Sequence, residues 1–385
     1  MLAVRFRSSR AVWSLPLLSI VLGCHEPEAL RLASQTLVGD STCVACHQEQ
    51  AEFLGTAHAG TSAPASAETI HGSFAEGENV LRTSNPRLFF RMVQAGGDFF
   101  QEAVESSGSD TTRTIERFDI VVGSGRKGQS YLYWRSDLLF QLPISHWTGI
   151  GWANSPGYRD GVANFNRPVP PRCLECHSTY AASLPSLGGG NRYDTASLVP
   201  GISCQTCHGA GGEHVRWAQT GSVWRWLRSA AIVNPADLPR ERRVDGCALC
   251  HGGIGESIQP PFSYRPGEPL SAYLHQPEPS PDEPVDVHGN QVALLARSAC
   301  FQQSDMTCST CHDVHRPQRD ISEFTAVCTS CHVPGESLDA DHGAAMPGNC
   351  VDCHMPNVET NVIVGDQLGR VLKPRVRSHR IAVYQ

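Results

Sequence analysis

The sequence predicts an α+β protein of low regular content, in which short helices and irregular coil pack around bound cofactors and a small β-rich insert separates two parts of the chain. Three observations predict this class. The five-residue string Cys-x-x-Cys-His occurs seven times in the 385 residues. A long segment without this string lies between its first and second copies. Aromatic residues make up only 7% of the chain, so a single conventional core would be thinly filled.

The repeated string is typical of c-type haem attachment in an exported protein. Its two thiols add to the haem vinyl groups, and its histidine ligates the iron. On one helical turn, positions i, i+3 and i+4 share a face, so both sulfurs and the imidazole reach one porphyrin. The predicted attachment residues are Cys43, Cys46, Cys173, Cys176, Cys204, Cys207, Cys247, Cys250, Cys308, Cys311, Cys328, Cys331, Cys350 and Cys353. The predicted iron ligands within the motifs are His47, His177, His208, His251, His312, His332 and His354.

The alternatives for this string are zinc knuckles and disulfide bonds. Zinc sites use paired Cys-x-x-Cys units and do not require a histidine at the next position each time. The motifs use all but two of the 16 cysteines, Cys24 and Cys300, which leaves no disulfide framework. The sequence therefore predicts a multihaem cytochrome c fold with seven covalently attached haems. Because the porphyrins would supply most of the core, we expect the apoprotein to fold poorly.

The N-terminus resembles the signal sequence of a bacterial lipoprotein. Basic residues precede the short apolar run 11–23, which ends at Cys24 in the string Val-Leu-Gly-Cys. This pattern predicts a signal peptide at 1–23, lipidation of Cys24 and a lipid-linked tether at 24–38. The alternatives are an ordinary cleaved signal with Cys24 incidental, or an uncleaved anchor. We expect an exported protein on the periplasmic side, anchored to a bacterial membrane, with a water-soluble body.

The spacing of the motifs divides the rest of the chain. The motifs start at residues 43, 173, 204, 247, 308, 328 and 350. Short gaps would hold neighbouring porphyrins in contact, because about 20 residues span little more than one haem and a turn. The predicted segments are a first haem segment at 39–60, a β-rich haem-free insert at 61–170, a middle haem trio at 171–255, a proline-rich connector at 256–299, and a C-terminal haem trio with its tail at 300–385.

Within the insert, β-branched and aromatic residues predict extended structure. Strands are expected in 114–122, 131–134 and 138–142, with a glycine-rich turn after the first, as in an antiparallel meander. Eight prolines in 259–287 predict a surface connector without a packed core of its own. The tail 358–383 again has an extended pattern.

The charge pattern excludes nucleic acid as a partner. The formal net charge is −7, haem propionates would add to it, and no basic stripe is present. Lysine is nearly absent, with only Lys127 and Lys373, so arginine carries the positive charge. Arginines can pair with propionates, although genome composition explains the same bias.

Ten histidines lie outside the motifs and are candidates for the sixth iron position. His58 closes the string QAEFLGTAHA, on the helix expected to continue from the first motif. His214 follows the third motif by a few residues, and His342 lies shortly before the last one. His315 is too close to His312 to reach the same iron, so we expect it to point at a neighbouring haem.

Strings at these positions resemble a known family. They read STCVACHQEQAEFLGTAHA, NFNRPVPPRCLECHSTYA, CQTCHGAGGEHV, SACFQQSDMTCSTCHDVH, GNCVDCHMP and SHRI. The chain resembles bacterial multihaem cytochromes with a cytochrome c-554-type domain, distantly related to octahaem hydroxylamine oxidoreductases and pentahaem nitrite reductases. The resemblance implies distal ligation by His58, His214, His315 and His379, and further by His146, His288 and His342. His71 and His275 are held in reserve, and His25 is assigned to the tether.

The chain departs from these relatives in one informative place. The Cys-x-x-Cys-Lys haem site of the pentahaem nitrite reductases is absent, which puts nitrite reduction in doubt. Met355 could serve as a ligand, but it adjoins His354 and core packing is the favoured interpretation. For Cys300 a buried, small apolar role is favoured over a reactive thiol.

These observations favour an electron carrier over an enzyme. Closely spaced haems with two imidazoles each suit electron transfer between redox partner proteins whose identity the sequence does not reveal. The alternative is a multihaem oxidoreductase acting on a small nitrogen or sulfur compound at one five-coordinate haem, with His71, His146 and Arg135 as the places to search. A third interpretation is a relay subunit that docks on a larger complex.

Overall fold

The computed structural model describes residues 37–186, 188, 190–219, 232–276, 285–332 and 349–384. The predicted signal peptide, Cys24, His25 and His342 lie outside the described residues. Within them the protein mixes short helices and strands with much irregular coil. None of the helices described is long and apolar enough to cross a bilayer.

The helices are short, and most of them carry a Cys-x-x-Cys-His motif. They are α1 Asp40–Val44, α2 Pro171–Glu175, α3 Cys204–His208, α4 Gly212–Gln219, α5 Arg240–His251, α6 Gln291–Ala296, α7 Ala299–Gln302, α8 Ile321–Cys331 and α9 Cys350–His354. Single 3-10 turns lie at Gln48–Gly55, Thr195–Ser197, Pro235–Asp237, Leu270–Ala272 and Cys308–Thr310. Side-chain caps fix where three of the motif helices begin, since Ser203, Asp320 and Asn349 each accept a backbone N–H of the first turn.

The insert between the first two motifs is formed by strands. They are β1 Ser62–Pro64, β2 Val80–Arg82, β3 Leu88–Ala95, β4 Asp98–Ser107, β5 Asp110–Arg117, β6 Ile120–Val122, β7 Gly128–Arg135, β8 Leu138–Gln141, β9 Ile144–Trp147, β10 Gly151–Asn154 and β11 Arg167–Pro168. Strands β2 to β5 form a four-stranded antiparallel meander. The others form a seven-stranded antiparallel sheet in which β7 pairs with β6, β8 and β9. The segments predicted at 131–134 and 138–142 lie in β7 and β8, whereas the segment predicted at 114–122 is divided between β5 and β6, which belong to different sheets.

The insert has an aromatic core of its own. Phe90, Tyr131 and Tyr133 are fully buried in one cluster with Phe118 and Trp152. The ring centroids of Phe118 and Tyr131 are 4.6 Å apart in an edge-to-face arrangement. The low aromatic content is thus concentrated in the insert, which can bury apolar surface without a cofactor.

Outside the insert, strands occur only as short two-stranded pairs in the described ranges. They are β12 Ser178–Tyr180 with β13 Val199–Pro200, β14 Glu256–Ser257 with β15 Leu274–His275, β16 Asn357–Glu359 with β19 Arg375–Arg377, and β17 Gly365–Gln367 with β18 Arg370–Leu372. The last two pairs lie in the tail for which extended structure is predicted.

The structure differs from two local expectations. The helix expected to reach His58 ends early, because α1 gives way to a 3-10 turn that stops at Gly55. The proline-rich connector does contribute to a core: Leu270 and Leu274 are buried against Ala248 and Leu249 of α5. The leucines of the connector are apolar and pack against α5, which carries the fourth motif. A count of prolines does not reveal this packing.

Candidate haem-binding cavity

One cavity of about 3270 Å³ lies in the part of the chain outside the insert core. All fourteen motif cysteines and all seven motif histidines line it. One-seventh of that volume is about 470 Å³, which lies within the range of roughly 300–1,000 Å³ typical of a pocket for one cofactor-sized ligand. The cavity walls expose mostly apolar surface. The space therefore fits several large apolar plates better than scattered metal ions.

Each motif is held in a helical turn. The third, fourth and seventh motifs lie wholly within α3, α5 and α9. In the first, fifth and sixth motifs the histidine N–H donates to the carbonyl of the first motif cysteine at 2.9–3.0 Å, as in an α-helix. In the second motif the His177 N–H donates to Leu174 instead, at 2.8 Å. The turn places two thiols and one imidazole on a common face.

Four motif histidines face a histidine from another part of the chain. The ring centroids of His47 and His214 are 6.3 Å apart, and those of His58 and His251 are 6.2 Å apart. His208 and His315 are separated by 6.1 Å, and His312 and His379 by 5.9 Å. In each pair one histidine lies outside the motifs. These four are His58 of the TAHA-like string, His214 of the GEHV-like string, His315 of the CHDVH-like string and His379 of the HRI-like string.

This spacing would fit two imidazoles that hold one metal ion between them. A metal–nitrogen bond is about 2.0 Å long, and an imidazole nitrogen lies about 1.1 Å from its ring centre. Two imidazoles on opposite sides of one metal therefore have centroids about 6.2 Å apart. The interplanar angles range from 24° to 81°, which this geometry permits because each ring rotates about its own metal–nitrogen bond. A direct stack of two rings would bring the centroids closer.

Hydrogen bonds orient several of these rings. The Nδ1 atoms of His208 and His354 lie 2.8 and 2.9 Å from the carbonyl oxygens of Val233 and Ala382. A carbonyl only accepts, so Nδ1 carries the proton and Nε2 keeps its lone pair for a metal. His379 Nδ1 lies 2.8 Å from Gln291 Oε1 in the same way. The spacing of the motifs along the chain does not reveal these hydrogen-bond partners of the histidine rings.

The electrostatics of the cavity favour neutral imidazoles. Burial, with the nearby His288 as the next cause, lowers the pKa of His177 to about 4. Burial, with His312 as the next cause, lowers the pKa of His379 to about 4. Neutral imidazole is the form that ligates a metal, so both rings are ready to bind at neutral pH. The Nδ1 atoms of His146, His177 and His214 are buried without a hydrogen-bond partner in the described chain, as expected of a wall built for a bound group.

Thiols of different motifs contact one another. The Cys204 thiol lies beside Cys43, Cys250 beside Cys176, and Cys247 beside Cys308. Among the described residues, the ligand atoms of Asp40, Cys43 and Cys204 lie within 4.8 Å of one another, as in a metal site. Both of these thiols belong to Cys-x-x-Cys-His motifs, so haem attachment would consume them. The contacts show that motifs distant in sequence are immediate neighbours in space.

More cationic than anionic side chains line the cavity, and four of the cations, Arg172, Arg242, Arg316 and Arg377, are paired with carboxylates. Seven arginines and one lysine line it, against four carboxylates. These cations are Arg126, Lys127, Arg172, Arg242, Arg243, Arg316, Arg319 and Arg377. Arg243 Nε is buried without a hydrogen-bond partner in the described ranges. An acidic protein that lines its cavity with cations suits anionic ligands such as propionates.

Comparison with known proteins agrees with this chemistry. Residues 160–209, which contain the second and third motifs, match the family model "Cytochrome c554 and c-prime". The multiheme cytochrome MtrA of Shewanella baltica (strain OS185) is 23% identical over 204 residues, which are 50% of this chain and 48% of that protein. The chain thus matches about half the length of this relative. No solved structure matches it.

These matches support a multihaem c-type cytochrome. They imply covalently bound c-type haem and suggest electron transfer. The cavity, the histidine pairs and the cationic wall all fit that cofactor, with the motif cysteines as the attachment residues. The haem would supply reversible one-electron chemistry at its iron.

The remaining predicted site residues lie in different places. His146 and His288 line the cavity, whereas His71 and His275 are exposed outside it. His146 lies edge-on to Trp152, with ring centroids 6.0 Å apart. Arg135 is also outside the cavity, where it pairs with Glu116 at 2.9 Å on the surface of the insert.

Two further side chains are ones for which the sequence favours core packing. Cys300 and Met355 are both only half-buried and line the cavity. Protein atoms alone do not bury either side chain, so the expected packing of each in an apolar core stays a prediction. Both follow or precede motif residues closely, so a bound cofactor, and not protein, would cover their exposed sides.

Proposed function

We propose that this chain is a seven-haem c-type cytochrome that transfers electrons along a series of closely spaced haems. The seven motifs would each hold one haem, and His58, His146, His214, His288, His315, His342 and His379 would supply the distal ligands. The four histidine pairs at 5.9–6.3 Å carry the proposal, since this spacing fits two imidazoles on one iron. Two imidazoles leave no open coordination position and keep the potential low, which suits a carrier.

The chain's own groups would tune this transfer. The apolar walls exclude water, and the cationic side chains stabilise the negative charge that each reduction adds. Val233, Ala382 and Gln291 hold three ligand rings in one tautomer and orientation. No proton transfer to a substrate is required of any of these residues.

The proposal is tested by counting haems and their spin states together. Intact mass should give seven covalent haem increments on the mature chain, and electron paramagnetic resonance of the oxidised protein should show low-spin signals only. Cys204→Ala with Cys207→Ala should remove one haem increment. Fewer than seven increments in the parent protein, or no low-spin signal, would contradict the proposal.

A second candidate function, supported by His146, is a multihaem oxidoreductase for a small nitrogen or sulfur compound. His146 lines the cavity, its Nδ1 is buried and unsatisfied, and its ring lies against Trp152. Beside a five-coordinate haem it would be placed for acid–base work. This function would be favoured by one high-spin haem per chain that binds cyanide. The high-spin signal should depend on pH, and that dependence should be lost in His146→Gln.

We further infer an exported lipoprotein held at a bacterial membrane through Cys24, on its periplasmic side. The support is the basic segment, the apolar run and the cysteine that ends it. The partners would be a donor and an acceptor protein. Distant kinship with octahaem hydroxylamine oxidoreductases and pentahaem nitrite reductases rests on the quoted strings and belongs to the same proposal.

A further inference from the structure

The fourth motif, Cys247–His251, lies where three haem-binding segments meet. Its helix α5 is the longest described helix and ends at His251. One side of the helix N-terminus is tied to the fifth motif, because Arg240 donates to the carbonyls of Met306 at 2.9 Å and Phe301 at 2.7 Å. The Cys247 thiol lies beside Cys308 at the same place, where α5 contacts the turn Cys308–Thr310.

The other end of the motif is tied to the second motif. Arg172 donates to the carbonyls of Leu249 and Ile254, both at 2.6 Å. It also forms an ion pair with Glu175 at 2.8 Å, in which both side chains are nearly buried at 12% and 8% exposure. The Cys250 thiol donates to the Glu175 carbonyl at 3.9 Å and lies beside Cys176.

A third neighbour is the third motif. The Val233 N–H donates to the His208 carbonyl at 2.9 Å, and the turn Pro235–Asp237 just beyond Val233 contacts α5. Cys207 also lies near Cys247. The third motif is joined in turn to the first, since the Cys204 N–H donates to Asp40 at 3.1 Å and the Cys204 and Cys43 thiols lie within 4.8 Å of each other. The fifth motif continues to the sixth and seventh, because His312 packs on Phe324 of α8, and α8 contacts α9.

The geometry points to a three-way junction at Cys247–His251. One arm runs through the third motif to the first, a second arm is the second motif alone, and the third arm runs through the fifth, sixth and seventh motifs. This inference rests on the proposed electron-transfer function and adds its route, which does not follow the order of motifs along the chain. Each step would move one electron from a ferrous to a ferric iron of haems held by neighbouring motifs. A reduced partner protein supplies that electron, an oxidised partner takes it up, and no bond forms or breaks.

A haem at a junction has more neighbouring haems whose potentials respond to its charge than a haem in a linear series has. Reduction of one haem adds a negative charge, which lowers the potential of the haems beside it and is screened at greater distance. His58 faces His251, so His58→Met should raise the potential of the junction haem, which is then reduced first. The matched control is His214→Met, because His214 faces His47 in the terminal first motif.

The test is a spectroelectrochemical titration of the holoproteins, with paramagnetic resonance of partly reduced samples to follow each haem. We expect three further haems to shift to lower potential in His58→Met and one in His214→Met. Equal numbers of shifted neighbours in the two variants would overturn the junction. A folded His58→Met protein without any raised-potential haem would overturn the bis-histidine assignment of the proposed function, and the junction with it.

A second variant covers the case in which His58→Met does not mature. Arg172→Gln removes a buried cation from the seam between the second and fourth motifs without touching a ligand. It should lower the potentials of two haems and leave the others unchanged. The control is Arg192→Gln, which removes an exposed arginine paired with Asp137 outside the cavity and should shift none. A shift confined to one haem would contradict contact between the second and fourth sites.

Discussion

The imidazole of His379, near the end of the chain, faces the imidazole of the motif residue His312 with a centroid separation of 5.9 Å. Gln291 holds this arrangement by accepting from His379 Nδ1 and from the His379 backbone N–H. The C-terminal tail is therefore part of the cavity wall, and its removal should affect a haem site that begins far upstream.

The first prediction concerns this pair. His379→Ala should convert one low-spin haem to high-spin and raise its potential, because a strong donor to ferric iron is lost. Paramagnetic resonance and a redox titration measure both changes. His275→Ala is the control, since His275 is exposed outside the cavity and should leave every spectrum unchanged. Identical spectra for the two variants would argue against ligation by His379.

The second prediction concerns the backbone that positions His58. Gly201 has φ +72°, and a Cβ there would lie 2.3 Å from the Ala59 carbonyl oxygen. The Ile202 N–H also donates to the His58 carbonyl at 3.0 Å. Gly201→Ala should lower the free energy of unfolding by more than the roughly 1–2 kcal/mol of a left-handed residue alone, because the clash displaces the His58 segment.

Urea unfolding of the holoprotein, with the low-spin signal as a second readout, measures this effect. Gly149→Ala is the matched control: Gly149 has φ +80° with nothing near the new Cβ, so it carries the backbone cost without the clash. Equal losses in the two variants would show that the contact with Ala59 is unimportant.

The third prediction is a pH dependence of stability at Asp160. Burial acts to raise the pKa of Asp160, but hydrogen bonds from Ser84, Asn154 and Leu368 outweigh it and hold that pKa below its ordinary value. Because the folded pKa is depressed, the stabilisation is fully present above the unfolded value of about 3.9. It is lost as the pH falls through the folded value.

Asp160→Asn should therefore reduce the free energy of unfolding by about 1–3 kcal/mol at pH 7, with a difference that shrinks below about pH 4. Denaturant titrations at several pH values measure this. Asp98→Asn, at an exposed carboxylate 3.7 Å from Arg117, should cost much less. A loss at Asp160 that does not vary with pH would contradict the assigned cause.

The fourth prediction concerns the proposed anchor. Cys24→Ser should release the protein from the membrane fraction or block its maturation, because two or more fatty chains are needed for stable attachment. Cell fractionation with immunodetection measures the distribution. Cys300→Ser changes the other cysteine outside the motifs and should stay with the membrane. A Cys24→Ser protein that remains bound would require a different tether.

Much of the local structure follows from sequence, because it depends on neighbouring residues. The helical turns of the motifs and the strands at β5 to β8 are of this kind. The facing partner of each motif histidine is not, since His58 meets His251 and His315 meets His208 only through the tertiary fold. The burial of Leu270 in the connector does not follow from the sequence either, because its partners on α5 are distant in sequence.

The thiol contacts between motifs have a consequence for the biogenesis of the protein. Cys43 and Cys204, Cys176 and Cys250, and Cys247 and Cys308 are neighbours in the folded chain. In an oxidising compartment, an empty pair of this kind would close as a disulfide and block two attachment sites at once. In the proposed export of the chain, each such pair would join motifs that emerge at different times. We therefore expect haem to be attached to the earlier motif before the later motif folds against it. This order of attachment would prevent the disulfide from forming.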